Sequence, residues 1–209
     1  MHPNSLLREN ARKQLGGNIF AQCWLMVMVA YLIFSLVYSA ASSFFVLGLI
    51  VYGPFIYGLA TITLSLVRGK DKVEINDLFC GFTEGFAENL LLGLLMQVFI
   101  MLWSLLFIIP GIVKSYSYAM AFYIRHDDPT KGWQACIDES REMMDGYKMK
   151  LFLLDLSFIG WYLLGSFVCG IGVLFVVPYH EMARANFYES LRAGEMTYAA
   201  PADNTTAQQ

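Results

Sequence analysis

Five ionisable residues stand inside stretches that are otherwise apolar: Lys114, Asp155, His180, Glu181 and Arg184. In hydrocarbon such a group costs about 2.5–3.5 kcal/mol at mid-depth, so each needs a partner or water. His180 and Arg184 are four residues apart and Glu181 and Arg184 three, which puts the three on a shared helical surface. Gathered on the inner face of a helical bundle, they would form a polar site able to hold an ion, a proton or a phosphate headgroup. The same residues also suit structural ion pairs that tie three helices together, and a lysine at position 114 can snorkel outward.

Catalytic patterns are incomplete. His180-Glu181-Met182-Ala183-Arg184 matches a zinc-protease H-E-x-x-H only at its first two positions, and Arg184 stands where the second ligand is required. His126-Asp127-Asp128 lacks the further ligands of a metal phosphohydrolase and reads as a turn and cap before a helix. Ser35, Ser39 and Ser157 have no histidine base, and Ser35, Ser39 and Ser43 recur every four residues, a spacing for close helix packing. Cys23, Cys80, Cys136 and Cys169 are widely separated, with no C-x-x-C pair. No phosphate-cradling glycine loop is present. The expectation is a protein that is not an enzyme and has no cofactor and no metal site.

The elements that must position the five residues follow from composition. Of 209 residues 57% are hydrophobic and 15% charged, and the mean hydropathy is +0.51. Soluble domains carry about 25% charged residues, so a soluble enzyme is excluded and an all-α, polytopic membrane bundle is expected. A net charge of -3 gives no basis for binding nucleic acid. Six segments are candidates to cross: 18–40, 45–67, 89–109, 111–125, 150–168 and 171–192, three helical hairpins in one domain over 18–194. The apolar run from Ile19 to Val37 is too long for a signal-peptide core, so it reads as an uncleaved first span. The fourth segment is short, reaching only about 22 Å at 1.5 Å per residue.

Charge placement argues that it crosses. With six spans, Arg8, Arg12, Lys13, Arg68, Lys70 and Lys72 fall on one side with Arg125, Lys131, Arg141, Lys148, Lys150 and Arg192. The positive-inside rule makes that side, and both termini, cytoplasmic, in an inner (plasma) membrane. Counted from those ends, Asp155 and Arg184 sit at depths of roughly 10–12 Å and Lys114 and Glu181 near 16 Å. Two pairs are thereby expected, Asp155 with Arg184 and Lys114 with Glu181.

Three stretches have helical apolar stripes and should lie at the interface: Leu7, Ala11, Leu15 within an N-terminal helix over 1–17; Ile75, Phe79, Phe82, Phe86; and Trp133, Ile137, Ser140, Met144, Tyr147. The last two carry acidic opposite faces, including Asp138, Glu139, Glu142 and Asp145, which suit capping the bundle or docking a protein partner better than anionic lipid. Pro54 to Arg68, Pro110 to Arg125 and Pro178 to Arg192 are separated by 14, 15 and 14 residues, the trace of a threefold repeat that would kink the even spans at matching depth. Residues 195–209 are small and polar and are expected to be disordered.

These motifs resemble the bacterial membrane proteins grouped as domain of unknown function 975. The resemblance runs over about residues 5–192 and rests on Arg8, Ala11 and Leu15; Ile109-Pro110-Gly111-Ile112 with Tyr116, Tyr118, Ala119 and Met120; Pro129; Ser140 and Gly146; Ser157-Phe158-Ile159-Gly160-Trp161; Pro178-Tyr179; and Phe187-Tyr188. It implies a compact helical membrane domain and transfers no activity. Similar membrane domains accompany glycerophosphodiester phosphodiesterases, which points toward lipid, but no phosphodiesterase residues occur here. The expected function is to bind or transport a small ion or lipid headgroup through the five-residue cluster. The alternative is an accessory subunit whose partners, besides membrane lipids, are a membrane or cytoplasmic protein or a second copy of the chain.

Overall fold

The computed structural model describes residues 4–14, 22–42, 45–70, 74–167 and 171–194. Leu15, Lys72, Cys169, the side chain of Ser43 and the tail from Glu195 to Gln209 lie outside them. The described residues are helical and contain no strand. In chain order the helices are α1 (Asn4–Gln14), α2 (Gln22–Ser42), α3 (Phe45–Val67), a 3-10 turn (Ile75–Phe79) leading into α4 (Cys80–Thr83), α5 (Phe86–Leu106), α6 (Ile108–Tyr118), α7 (Ala121–Asp127), α8 (Trp133–Met143), α9 (Lys148–Phe167) and α10 (Ile171–Arg192).

The axis of the bundle is α3. Two-thirds (67%) of its apolar stretch is buried, against 22% for the corresponding stretches of α5 and α9. Its neighbours reach it because side chains are missing where backbones cross. A Cβ on Gly53 would stand 2.2 Å from the Asn89 carbonyl oxygen, and one on Gly93 would stand 2.4 Å from the Gly53 Cα, so α3 and α5 touch backbone to backbone. A Cβ on Gly58 would meet the Leu78 carbonyl at 2.0 Å and one on Gly81 the Pro54 carbonyl at 2.1 Å, which lays the 75–83 segment directly on α3.

Among the described residues, three helices are long and apolar enough to cross a membrane, over Gly48–Val67, Phe86–Leu106 and Lys148–Ser166, with Cys23–Ser39 a shorter apolar helix. Length and composition therefore do not return the expected six. The sixth segment, α10, interrupts its apolar run with His180, Glu181 and Arg184, and the fourth is two helices instead of one.

The break in that fourth segment has a cause. Ser140 of α8, fully buried, accepts the Met120 N–H at 3.2 Å and donates to the Ser117 carbonyl at 2.9 Å, so its hydroxyl replaces the helical ladder between α6 and α7. Pro110 lies in the first turn of α6, where its missing N–H costs nothing, while Pro54 and Pro178 lie inside continuous helices. The prolines thus do not occupy matching places, and kinks at matching depth do not follow.

The amphipathic stripes are used as packing faces. Leu7 and Ala11 are buried where α1 lies against α10, and the side-chain amides of Gln14 and Asn186 pair reciprocally at 2.6 and 3.1 Å. Cys136, Ile137 and Met144 are buried beneath α8. The 75–86 stripe is not one helix: the 3-10 turn and α4 precede a left-handed Gly85, after which α5 begins, and Phe55 packs edge to face on Phe79 at 5.4 Å and on Phe82 at 5.2 Å.

Replacing Gly53 by valine should force α3 and α5 apart and cost about 2–3 kcal/mol. Gly160→Ala, at a helical site with nothing within 4 Å, should be neutral or gain up to about 1 kcal/mol. Thermal unfolding of both variants in detergent checks the contrast.

Candidate functional site

Asp155 on α9 and His180, Glu181 and Arg184 on α10 come together, because the two helices pack along one another and the α10 residues share a surface. His180 donates through Nε2–H to Asp155 Oδ1 at 2.8 Å, since an ionised carboxylate only accepts. The other ring nitrogen, Nδ1, lies 3.0 Å from the Tyr162 hydroxyl, within hydrogen-bond distance. Arg184 Nε approaches the same Asp155 oxygen at 3.7 Å, so the expected Asp155–Arg184 pair is present with His180 as a third member.

These side chains are partly exposed. The side chains of Arg184, Asp155 and His180 keep 29%, 20% and 14% of their surface. Arg184, Asp155 and Glu181 open onto a cavity of about 500 Å³ between α2, α3, α5, α6, α7, α9 and α10. Four tyrosines, Tyr31, Tyr52, Tyr116 and Tyr123, share its wall with Ser115 and aliphatic residues. Tyr31 stands beside Glu181 and Tyr116 beside Asp155.

One end of the cavity is closed. The wall residues nearest Arg68 and Asp127, namely Leu59, Ala60, Phe122 and Tyr123, are buried, whereas Ile112 farther away is 48% exposed. Below that floor, Tyr123 stacks on Tyr188 with ring centres 5.2 Å apart, and the Tyr188 hydroxyl donates to Asp127 at 2.8 Å. Asp127 also receives Arg68 at 2.5 Å and Arg192 at 3.4 Å, and Glu189 receives Arg68 at 2.8 Å. Two of the three repeat-end arginines thus clamp one carboxylate.

The third, Arg125, is 4% exposed and donates to Asn89 Oδ1 at 3.3 Å and to the carbonyls of Pro129 and Lys131. Asn89 in turn donates to the carbonyls of Gly81 and Glu84, which pins the 75–85 segment to α7. Near it, Thr61 gives its proton to the Tyr57 carbonyl and so accepts the His126 Nδ1–H at 3.1 Å. Burial holds the His126 imidazole below its ordinary range. Burial also pushes the Cys136 thiol up to about 11, which removes its nucleophilic form at neutral pH.

Lys114 is a correction. It does not meet Glu181: its ammonium lies 5.0 Å from the centre of the Trp103 ring, in a separate groove shared with α8. Equal depth on two helices says nothing about the side each residue faces. The tyrosines, Tyr162, Asn89 and Arg125 were not singled out from sequence as site or clamp residues. A tyrosine in an apolar helix has no distinguishing spacing, but the buried Arg125 could have been flagged by its place at the end of a span with no acidic residue one turn away on its own helix. Among the described residues no group of three or more His, Cys, Asp or Glu is placed to hold a metal.

With this geometry in view, the family described as protein of unknown function (DUF975) matches residues 1–117 and 108–195, and the chain belongs to it. No curated protein and no solved structure matches the chain.

Asp155→Asn removes the charge that Arg184 and His180 share and should cost about 3 kcal/mol, as for a broken buried pair. Asp138→Asn, at a pair with Arg141 that is more than half exposed on both sides (51% and 65%), should change stability by less than about 0.5 kcal/mol. Parallel thermal melts compare the two.

Proposed function

We propose that this chain is a non-enzymatic inner-membrane protein with both ends in the cytoplasm, whose interior cavity binds or passes a small cation. The observation that carries the reading is the wall of the 500 Å³ cavity: two carboxylates, Asp155 and Glu181, against one guanidinium, Arg184. The wall carries a formal charge of -1, one carboxylate in excess of the single guanidinium. Tyrosine faces and hydroxyl oxygens add the attraction that aromatic walls give to organic ammonium groups. The same arithmetic disfavours a phosphate headgroup at this place.

The placement of both ends in the cytoplasm is supported by the repeat-end basic residues Arg68 and Arg192, which meet at Asp127 on one side of the cavity. An intramembrane ionisable cluster facing a cavity instead of lipid is the usual mark of an ion or substrate path. The docking alternative has less behind it, because Glu139 is held by Lys131 at 2.6 Å and Asp138 by Arg141 at 3.0 Å, leaving less free acidic surface on α8.

The test is thermal unfolding in neutral-lipid nanodiscs at constant ionic strength, with sodium, potassium, methylammonium, tetramethylammonium or phosphate added. A cation should raise Tm in a concentration-dependent way, and Glu181→Gln, which stays monodisperse, should lose that shift. Stabilisation by phosphate alone, or an undiminished shift in Glu181→Gln, would contradict the proposal.

A further inference from the structure

A second site lies on the other side of α6. Its groove, of about 590 Å³, is walled by Lys114, Trp103, Trp133, Tyr118, Asp138 and Arg141. The Lys114 ammonium sits over Trp103 and makes no ion pair among the described residues. Arg141 spends one N–H on Asp138 in a solvent-exposed pair and keeps its other donors. Two cations against one carboxylate leave a formal charge of +1, the complement of one phosphodiester.

The surroundings say what carries that phosphate. Beyond Ser104, the α5–α6 hairpin exposes a run of apolar side chains: Leu105, Leu106, Phe107, Ile108 and Ile109 are 63–81% exposed. Such a surface belongs in hydrocarbon, whereas Asp138 and Arg141 belong in the polar layer. The groove therefore falls at the boundary, at the level where tryptophan and tyrosine concentrate and phospholipid phosphates lie.

We propose that this groove binds the headgroup phosphate of an anionic glycerophospholipid, with Lys114 and Arg141 on the phosphate and the acyl chains along the exposed face of α5. The proposal rests on the membrane reading above but not on the cation cavity. It also reverses the expectation that α8 avoids anionic lipid: Glu139 is paired with Lys131 and Asp138 with Arg141, and Arg141 lines the groove beside Lys114.

The experiment uses the full chain carrying Trp161→Phe, reconstituted in phosphatidylcholine vesicles containing either dibrominated phosphatidylglycerol or dibrominated phosphatidylcholine. Bromine quenches tryptophan on contact; Trp24 is buried and supplies a constant background, so quenching reports Trp103 and Trp133. Brominated phosphatidylglycerol should quench at about fivefold lower mole fraction for each basic residue engaged, and Arg141→Gln and Lys114→Gln should each reduce the preference, the double variant abolishing it. Equal quenching by both lipids would overturn the site while leaving the membrane reading intact, and quenching by neither would overturn both. A response to inorganic phosphate with no preference for phosphatidylglycerol would assign the groove to a free anion and overturn the lipid.

Discussion

The structure depends on backbone-to-backbone contact around α3. Close van der Waals packing, backbone against backbone, holds these helices together. Gly53 against Gly93, Gly58 against Leu78 and Gly81 against Pro54 supply it at three places along one helix. With α3 gripped on one flank by α5 and the 75–83 segment, its other flank faces α10 across the tyrosine-lined space. The cavity is what remains where side chains, not backbones, set the separation.

Two polar devices then stiffen the ends of this arrangement. Ser140 stands in for a turn of helix between α6 and α7, which re-aims α7 so that Tyr123 faces the cavity and Asp127 faces Arg68 and Arg192. Arg125 and Asn89 bind four carbonyl groups between them, fixing the loop after α7 and the segment before α5. The closed floor of the cavity is thus a consequence of hydrogen bonds made outside it, and a polar residue within an apolar stripe, as at Ser140, marks where such a bond is made.

Much of this was legible in the residues. Helical class followed from composition, the stripes through Leu7 and Ala11 and through Ile137 and Met144 named true packing faces, and counting from Lys148 and Arg192 correctly matched Asp155 with Arg184. Counting failed for Lys114 because depth along a helix leaves its azimuth free, and α6 turns Lys114 toward α8 while α10 turns Glu181 toward α2. The break at Ala119–Met120 was not legible because its cause is a hydroxyl 20 residues beyond Met120. The glycine contacts were equally hidden: each is a statement about two segments, and neither segment alone records it.

The most direct test of the central claim, a hydrated cavity with net negative charge closed at its basic end, is an experimental density map of the full chain in lipid nanodiscs at side-chain resolution. The account predicts water or solute density touching Glu181, Asp155 and Arg184, bounded by Tyr123 stacked on Tyr188. A collapsed interior, with Arg184 and both carboxylates paired to one another and no density between them, would contradict it.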